Sequence, residues 1–224
     1  MHSHLLPGID DGSPDMETSI RLIRGLYDLG YRKLITTPHI NGASFPNDPE
    51  TILRLQADLA AELKKQQIDI ELHAAAEYLI DDEFTEALEA GKPLLTLKDN
   101  LVLVELSFVP PAINLPDILF LMQMKGYRPV LAHPERYLYF SASKDWYDRL
   151  RDAGCLFQLN LLSFVGHYGR EVRQLAAWLV KKGYFELLGT DLHRDGHLHQ
   201  LKSPIVAEKA NELLRTGRLL NPTL

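Results

Sequence analysis

The chain has 224 residues, a hydrophobic content of 46%, a formal net charge of -6 and one cysteine, Cys155. This length and apolar content are enough for one sizeable core, so we expect a single domain over residues 1–224. The acidic balance disfavours nucleic acid as a partner, and one thiol excludes an intramolecular disulfide framework. No apolar run reaches the roughly 20 residues that cross a bilayer, and the first residues lack a signal-peptide pattern. A cytoplasmic protein without membrane insertion is therefore expected.

Strand-like and helix-like patterns alternate along the whole chain. In chain order they predict a short strand at 2–6, a helix between 14 and 29, a strand at 33–37, a helix at 49–66 and a strand at 70–76. A helix near 82–90 follows, then a strand at 101–106, a helix near 115–125, a strand at 129–132, a helix near 144–153, a strand at 156–159, a helix near 170–182, a strand at 185–189 and a helix near 205–215. This alternation indicates βαβ units with about seven mainly parallel strands, in either a barrel or an open doubly wound sheet.

Nine residues of metal-ligating type lie at the carboxyl ends of these predicted strands. They are His2, His4, Asp11, His39, Glu77, Glu105, His133, Asp191 and His193. In parallel α/β folds the carboxyl ends of the strands share one rim, where the loops that follow them bind ligands. We therefore expect the nine side chains to converge there.

Each of these residues also has a simpler interpretation, because a lone histidine or acid at a strand end more often makes a loop hydrogen bond. Pairs weigh more than single residues. In His2-Ser3-His4 and in Asp191-Leu192-His193 the outer side chains share a strand face and can meet one ion. Glu105 interrupts an apolar strand, where a carboxylate needs a counter-charge that a metal ion supplies.

Six segments, in this order, resemble the motifs of the PHP (polymerase and histidinol phosphatase) superfamily. They are His2-Ser3-His4-Leu5-Leu6-Pro7-Gly8-Ile9-Asp10-Asp11-Gly12, Thr37-Pro38-His39, Ala76-Glu77, Leu103-Val104-Glu105, Ala132-His133-Pro134-Glu135-Arg136-Tyr137 and Thr190-Asp191-Leu192-His193. Within the superfamily they are most similar to the bacterial manganese-dependent protein-tyrosine phosphatases associated with capsule and exopolysaccharide synthesis. The resemblance extends over nearly the whole chain and implies a distorted seven-stranded (β/α)7 barrel of the PHP type.

The resemblance also implies three bound divalent metal ions, with manganese as the expected metal. The implied ligand sets are His2, His4, Glu77 and Asp191 for the first ion, Glu77, Glu105 and His133 for the second, and Asp11, His39 and His193 for the third. Glu77 would then bridge two ions. Mixed imidazole and carboxylate donors also suit iron or zinc, so the residues themselves leave the metal open.

By the same resemblance, the activity is hydrolysis of phosphotyrosine on a protein, with a bacterial tyrosine kinase as a candidate partner. Arg136 is the candidate that holds the phosphoryl oxygens, and an ion pair with Glu135 or another acid is the alternative. The family's second arginine is missing from its usual place, so Arg194 and His197 are candidate catalytic substitutes. The family normally has a few residues before the first His-x-His pair, whereas Met1 directly precedes His2 here, so a shortened first strand is expected.

Other functions remain open at this stage. A small-molecule phosphatase such as histidinol-phosphate phosphatase would share the metal site, a PHP exonuclease would need a basic face that the chain lacks, and a catalytically silent binding module would lack some of the ligands. Cys155 is interpreted as a core residue, because Leu161 stands where a cysteine phosphatase has the arginine of its Cys-x5-Arg loop. His73 is interpreted as structural. Four aromatic residues either frame an aromatic substrate or pack the loops, namely Phe108, Tyr137, Tyr139 and Phe164.

Overall fold

The structure is a computed structural model that describes residues 1–109, 115–141 and 143–224. Its strands are β1 (Lys33–Thr36), β2 (His39–Ile40), β3 (Glu71–Ala74), β4 (Glu77–Leu79), β5 (Leu101–Glu105), β6 (Arg128–Ala132), β7 (Leu156–Asn160) and β8 (Leu187–Gly189). Its α-helices are α1 (Met16–Asp28), α2 (Pro49–Lys65), α3 (Asp82–Glu89), α4 (Leu115–Met124), α5 (Asp145–Asp152), α6 (Arg170–Lys182), α7 (Asp195–Leu201) and α8 (Pro204–Leu214). No helix in these ranges is long and apolar enough to span a bilayer.

The strands pair in parallel throughout. Six of them form a sheet in the order β2-β4-β5-β6-β7-β8, and β1 and β3 form a separate pair. The predicted α/β class with a parallel sheet is therefore confirmed. A closed seven-stranded barrel is not confirmed, because the regular strands of the described ranges divide into sheets of six and two.

The division has a local cause between β1 and β2. Pro38 has no N–H to donate to a ladder, so the predicted strand at 33–37 stops before it, and a two-residue strand resumes at His39. Backbone hydrogen bonds still cross the gap, since the amide of Ala75 donates to Thr36 and the amide of Glu77 donates to Pro38. Residues on both sides of the break at Pro38 therefore remain hydrogen-bonded to the segment 75–77.

The regular first strand predicted at 2–6 is wrong. His2 has a φ of 59°, in the left-handed region that interrupts an extended strand, and Ser3 makes only an isolated parallel bridge to Leu192. The segment is nevertheless held on both sides by backbone hydrogen bonds. Asp191 donates to the carbonyl of His2 and Thr37 donates to the carbonyl of Ser3.

Local signals explain where the first helices begin. Asp15 caps α1 by accepting a hydrogen bond from the amide of Thr18, so the cap lies just after the predicted start signal at Ser13-Pro14. Asp48 caps α2 in the same way, with Pro49 in the first turn as predicted. Helix α7 was not predicted, because its seven residues are too few to show a clear helical period.

The strands bury side chains on both faces, as parallel strands with covered faces do. One set of buried residues packs between the sheet and the helices, and it includes Val102, Leu131 and Phe157. A second cluster lies on the opposite face of the strands and consists of Ile35, Ala75, Leu97, Leu103, Val130, Ala132, Leu156 and Leu187. Glu105 follows Leu103 by two residues, so its side chain lies on the same face as the second cluster, at the carboxyl end of β5.

Candidate metal centre

All nine predicted donor residues fall into overlapping groups, but not all at carboxyl ends: Glu105 ends β5 and His133 follows β6, whereas His39 and Glu77 begin β2 and β4. Four overlapping groups place ligand atoms within 4.8 Å of one another. The groups are His4, Asp11, His39 and His193; His2, His4 and Glu77; His2, His133 and Asp191; and His39, Glu77 and Glu105. The cluster borders a cavity of about 340 Å³.

The most deeply buried donors surround Glu77 and Asp191. His2 Nε2 lies 3.2 Å from Glu77 Oε2 and 3.3 Å from Asp191 Oδ1, while His4 Nε2 lies 3.4 and 3.5 Å from the same two oxygens. His133 Nε2 lies 3.1 Å from the other oxygen of Glu77, Oε1. Five donors from distant parts of the chain therefore point at one another with almost no access to water.

A second part of the cluster is nearer the surface. His39 Nε2 and His193 Nε2 lie 3.5 and 3.4 Å from Asp11 Oδ1. Glu105 is closest to His39, at 2.9 Å from its Nδ1, whereas the expected ligand sets pair Glu105 with His133. His39 consequently belongs to two of the four groups and joins the exposed part of the cluster to the buried part.

Three of the donors have a strained backbone. His2, His133 and Asp191 have φ values of 59°, 35° and 49°, and they are three of the five non-glycine residues with positive φ in the described chain. Such conformations cost on the order of 1–3 kcal/mol each and persist only where surrounding contacts enforce them. The carbonyl of His2 accepts hydrogen bonds from the amide of Asp191 and the hydroxyl of Thr190, so two strained residues hold each other.

The histidines of the cluster hold the pKa values of Glu77 and Asp191 well below their usual range, whereas burial and the charge of Glu77 raise the pKa of Glu105. Burial by itself raises the pKa of Glu77, but the neighbouring histidines outweigh it and hold that pKa well below its usual range. Burial lowers the pKa of His39, yet the attraction of Glu77, Asp11 and Glu105 raises it to about 10. Burial and the charge of Arg136 lower the pKa of His133 to about 4. The buried carboxylates thus demand nearby positive charge.

The donor set fits divalent metal ions. Glu77 Oε1 and His133 Nδ1 are buried without a hydrogen-bond partner among the described residues, although such groups are costly to leave unpaired. The 3.1 Å approach of His133 Nε2 to Glu77 Oε1 lacks hydrogen-bond alignment. Buried imidazoles and carboxylates that face a common point are the ligand types of zinc, manganese and iron sites.

Two histidines of the cluster have outer partners that sequence reasoning did not identify. His4 Nδ1 lies 2.7 Å from Asp10 Oδ2, and His2 Nδ1 lies 2.5 Å from Gln158 Oε1. A partner on Nδ1 leaves Nε2 facing the cluster, an arrangement common in metal sites. Asp10 stands beside Asp11 in a recognised motif and was open to inference, whereas Gln158 has no motif.

Arg136 lies at the rim of the cavity and is partly buried. Its Nη1 donates to Asp191 Oδ2 at 2.9 Å, and its guanidinium lies between the rings of Phe108 and Tyr168, at 4.7 and 4.5 Å from their centroids. The alternative of an ion pair is thus realised with Asp191 and not with Glu135, whose carboxylate accepts hydrogen bonds elsewhere. Arg136 is thus held by one ion pair and by contacts with two aromatic rings.

Arg194 and His197 also line the cavity. The side chain of His197 is oriented by its Nδ1, which lies 3.1 Å from the carbonyl of Asp191, and burial followed by the charge of His193 lowers its pKa to about 4 despite that hydrogen bond. His167 and Tyr168 line the same wall but stand in no motif, so sequence reasoning missed them.

The four aromatic candidates and Cys155 differ in whether they face the cavity or pack inside the protein. Phe108 lines the cavity with its side chain about half exposed, whereas Tyr137 is fully buried and Phe164 belongs to the core. Tyr139 donates its hydroxyl to the carbonyl of Ser107 and so packs a loop. Cys155 is buried, and burial raises the pKa of its thiol to about 12, which confirms its assignment to the core.

A parallel α/β fold with a cluster of imidazole and carboxylate donors at its strand ends defines a candidate metalloprotein. The sequence model of the family described as "Capsular polysaccharide synthesis, CpsB/CapC" matches residues 1–215. The chain therefore belongs to the CpsB/CapC family.

Named relatives agree with this assignment. The tyrosine-protein phosphatase YwqE of Bacillus subtilis is 29% identical over 93% of this chain and 83% of its own length. The tyrosine-protein phosphatase CpsB of Streptococcus pneumoniae is 26% identical over 95% of this chain and 93% of its own. The solved structure described as one of YwqE and CpsB, "unique metal-dependent tyrosine phosphatases", has a TM-score of 0.83 at 29% identity and covers 93% of this chain and 85% of that chain.

A more distant likeness concerns the fold alone. A lactonase from Listeria monocytogenes has a TM-score of 0.58 at 12% identity and covers 96% of this chain and 87% of that chain.

Proposed function

We propose that this chain is a metal-dependent tyrosine phosphatase that hydrolyses phosphotyrosine on protein substrates. The observation that carries the proposal is the meeting of all nine donor side chains beside a cavity whose rim holds Arg136. Family membership and the named relatives support the same reaction. A binding module without catalysis is disfavoured, since none of the nine donors is missing or turned away.

The proposed cofactors are three divalent ions, with manganese as the expected metal and iron or zinc as alternatives. His2, His4, Glu77 and Asp191 would hold one ion, Glu77 with Glu105 and His133 a second, and Asp11 with His39 and His193 the third. The short approach of Glu105 to His39 makes His39 a further candidate for the second ion. When bound, such ions activate water for attack on phosphorus and neutralise charge on the phosphoryl oxygens.

The chain's own residues would bind and orient the substrate. Arg136 presents a planar fork with several N–H donors, and its position between two rings limits its motion. It would hold the equatorial phosphoryl oxygens, on which negative charge is spread in the transition state. Phe108 is exposed enough to lie against the phenyl ring of the substrate. Arg194 and His197 also line the cavity and are the proposed groups beside the leaving phenolate.

Family membership supports a wider role for this reaction. We propose action on the phosphotyrosines of a bacterial tyrosine kinase, in the regulation of capsule or exopolysaccharide synthesis, by a cytoplasmic enzyme. The whole chain would form one PHP-type domain. Its irregular segment at 2–6 would complete a distorted seven-stranded barrel, which its hydrogen bonds to Thr37 and Leu192 support.

Comparison of substrates tests the reaction. The manganese-supplied protein should hydrolyse phosphotyrosine peptides with a higher kcat/KM than histidinol phosphate or phosphoserine peptides. The measurement is phosphate release under steady-state conditions. A higher kcat/KM for histidinol phosphate would replace the proposal with a small-molecule phosphatase, and hydrolysis of neither would leave the chain a binding protein.

A further inference from the structure

We infer that two amide side chains of β7, Gln158 and Asn160, form a relay that fixes the proton of His2 on Nδ1 and thereby directs its Nε2 to the metal. The inference rests on the proposed metal-binding role of His2 and Asp191. It concerns residues that carry no motif and that no ligand set includes. Strand β7 thus contributes positioning residues where its neighbours contribute donors.

The relay is a continuous line of hydrogen bonds between two donors of the cluster. Asn160 Nδ2 donates to Asp191 Oδ2 at 2.7 Å, and Gln158 Nε2 donates to Asn160 Oδ1 at 2.9 Å. Gln158 Oε1 then lies 2.5 Å from His2 Nδ1. All four side chains are buried, so water does not compete with any of these contacts.

The direction of every hydrogen bond follows from chemistry at one end. Asp191 Oδ2 already accepts from the guanidinium of Arg136, which donates only, and this oxygen of an ion-paired carboxylate is an acceptor. Asn160 must therefore present its NH₂ group to Asp191, which leaves its oxygen facing Gln158. Gln158 must in turn present its NH₂ group to Asn160, which leaves its own oxygen facing His2.

The last step sets the protonation of the imidazole. An amide oxygen only accepts, so His2 Nδ1 must carry the proton that is donated to Gln158. In a neutral imidazole the lone pair then lies on Nε2, which faces Glu77 and Asp191 at 3.2 and 3.3 Å. The relay thus prepares as a metal donor the nitrogen that points into the cluster.

Gly189 leaves the space that the side chain of Gln158 occupies in the relay. A Cβ at Gly189, on the neighbouring strand β8, would lie 2.4 Å from Gln158 Nε2 and 2.9 Å from the Cβ of His2. Both contacts are closer than real Cβ atoms allow, so any larger residue would displace Gln158 or His2. Glycine is required at position 189 because the side chains of Gln158 and His2 occupy the space that a Cβ would fill.

The test measures both the affinity for Mn²⁺ and the exchange of the Nδ1 proton of His2. Gln158→Met keeps the volume but removes the acceptor, and loss of such an outer partner should weaken binding of one Mn²⁺ ion by about 10- to 100-fold. Calorimetric titration with Mn²⁺ measures this loss. In zinc-loaded protein labelled with ¹⁵N at histidine, the slowly exchanging Nδ1 proton of His2 should be present in the wild type and lost in Gln158→Met.

Three further variants separate the relay from a general structural effect. Gln158→Glu keeps an acceptor for His2 and should retain the Nδ1 proton signal. Asn160→Leu does not touch His2 but frees Gln158 to turn, so it should accelerate exchange of the same proton. Gln56→Met removes a glutamine that donates to the carbonyl of Leu72 outside the cluster, and it should leave Mn²⁺ affinity and the His2 signal unchanged.

The outcomes distinguish the relay from the proposed function. Wild-type Mn²⁺ affinity and an unchanged His2 signal in Gln158→Met would overturn the relay, even in a protein that hydrolyses phosphotyrosine. Absence of phosphotyrosine hydrolysis with the predicted Mn²⁺ and proton signals would overturn the proposed reaction and support the relay. If Gln158→Met does not fold, an unchanged His2 signal in Asn160→Leu would overturn it.

Discussion

The donor cluster contains two regions that differ in their access to water. We call His2, His4, Glu77, His133 and Asp191 the inner donors, and their side chains are between 0 and 3% exposed. We call Asp11, His39 and His193 the outer donors, with side chains 58, 12 and 16% exposed, and Glu105, at 9%, lies between the two regions. The inner donors also have buried partners such as Gln158, whereas Asp11 faces solvent.

This difference bears on what each region contributes. Electrostatic attraction is stronger where water is excluded, so ions at the inner donors should bind more tightly and exchange more slowly than an ion at the outer donors. The three donors with a strained backbone, His2, His133 and Asp191, all belong to the inner donors. We therefore expect the inner donors to hold their ions rigidly and the outer donors to hold an ion that exchanges with solvent.

The largest effect is expected at the residue that joins the inner donors. Glu77 contacts three inner histidines and is the proposed bridge between two ions. Glu77→Gln should therefore lower metal content by more than one ion per chain and reduce turnover to background. Elemental analysis of the purified variant measures the stoichiometry. An unchanged metal content would show that the bridge is misplaced.

The second effect concerns Arg136, which lies at the rim but donates to an inner donor. Losing a charge-assisted contact to the transition state costs about 2–4 kcal/mol, so Arg136→Ala should lower kcat by roughly 30- to 1,000-fold with metal content unchanged. Arg136→Lys should restore part of the rate, because it keeps the charge but loses the planar fork. Steady-state kinetics separate kcat from KM.

An alternative for Arg136 is a purely structural ion pair with Asp191. That alternative predicts a lower melting temperature and near-normal kcat in the folded alanine variant. Thermal melts of both variants, run beside the kinetics, decide between the two roles. Normal kcat in a folded and fully metallated Arg136→Ala would remove Arg136 from the catalytic residues.

A smaller and more selective effect is expected at Asp11. Removing an outer partner of a ligand typically costs about 10- to 100-fold in metal affinity, and removing a ligand should cost no less. Asp11→Ala should therefore weaken one ion by at least about tenfold and leave the ions at the inner donors in place. Titration with Mn²⁺ resolves the classes of site. Equal weakening of every ion would erase the distinction between inner and outer donors.

The sequence predicted the parallel α/β pattern and the positions of most helices because apolar spacing is strong over those segments. It also predicted the nine candidate donors that converge, since histidines and acids near consecutive strands form a recognisable order. The first strand failed for a physical reason: its alternating pattern suits an extended chain, but His2 adopts a left-handed backbone that tertiary hydrogen bonds impose. A local pattern does not contain those contacts.

The parts of the site that sequence reasoning missed are amides and aromatic residues. Gln158 and Asn160 look like ordinary polar residues in an apolar strand, and only the three-dimensional positions of His2 and Asp191 give them a role. Tyr168 likewise becomes notable because it lies against Arg136 and donates to Asp191. Partner residues of this kind depend on long-range contacts, which one sequence does not reveal.

The donor cluster is proposed to hold metal ions on which phosphotyrosine hydrolysis depends. The most direct test is elemental analysis of one protein sample before chelation, after chelation and after addition of Mn²⁺, with phosphotyrosine peptide hydrolysis measured at each step. We predict about three ions per chain and full activity at first, loss of both after chelation, and recovery of both with Mn²⁺. Full hydrolysis in a sample verified to contain no metal would contradict the claim.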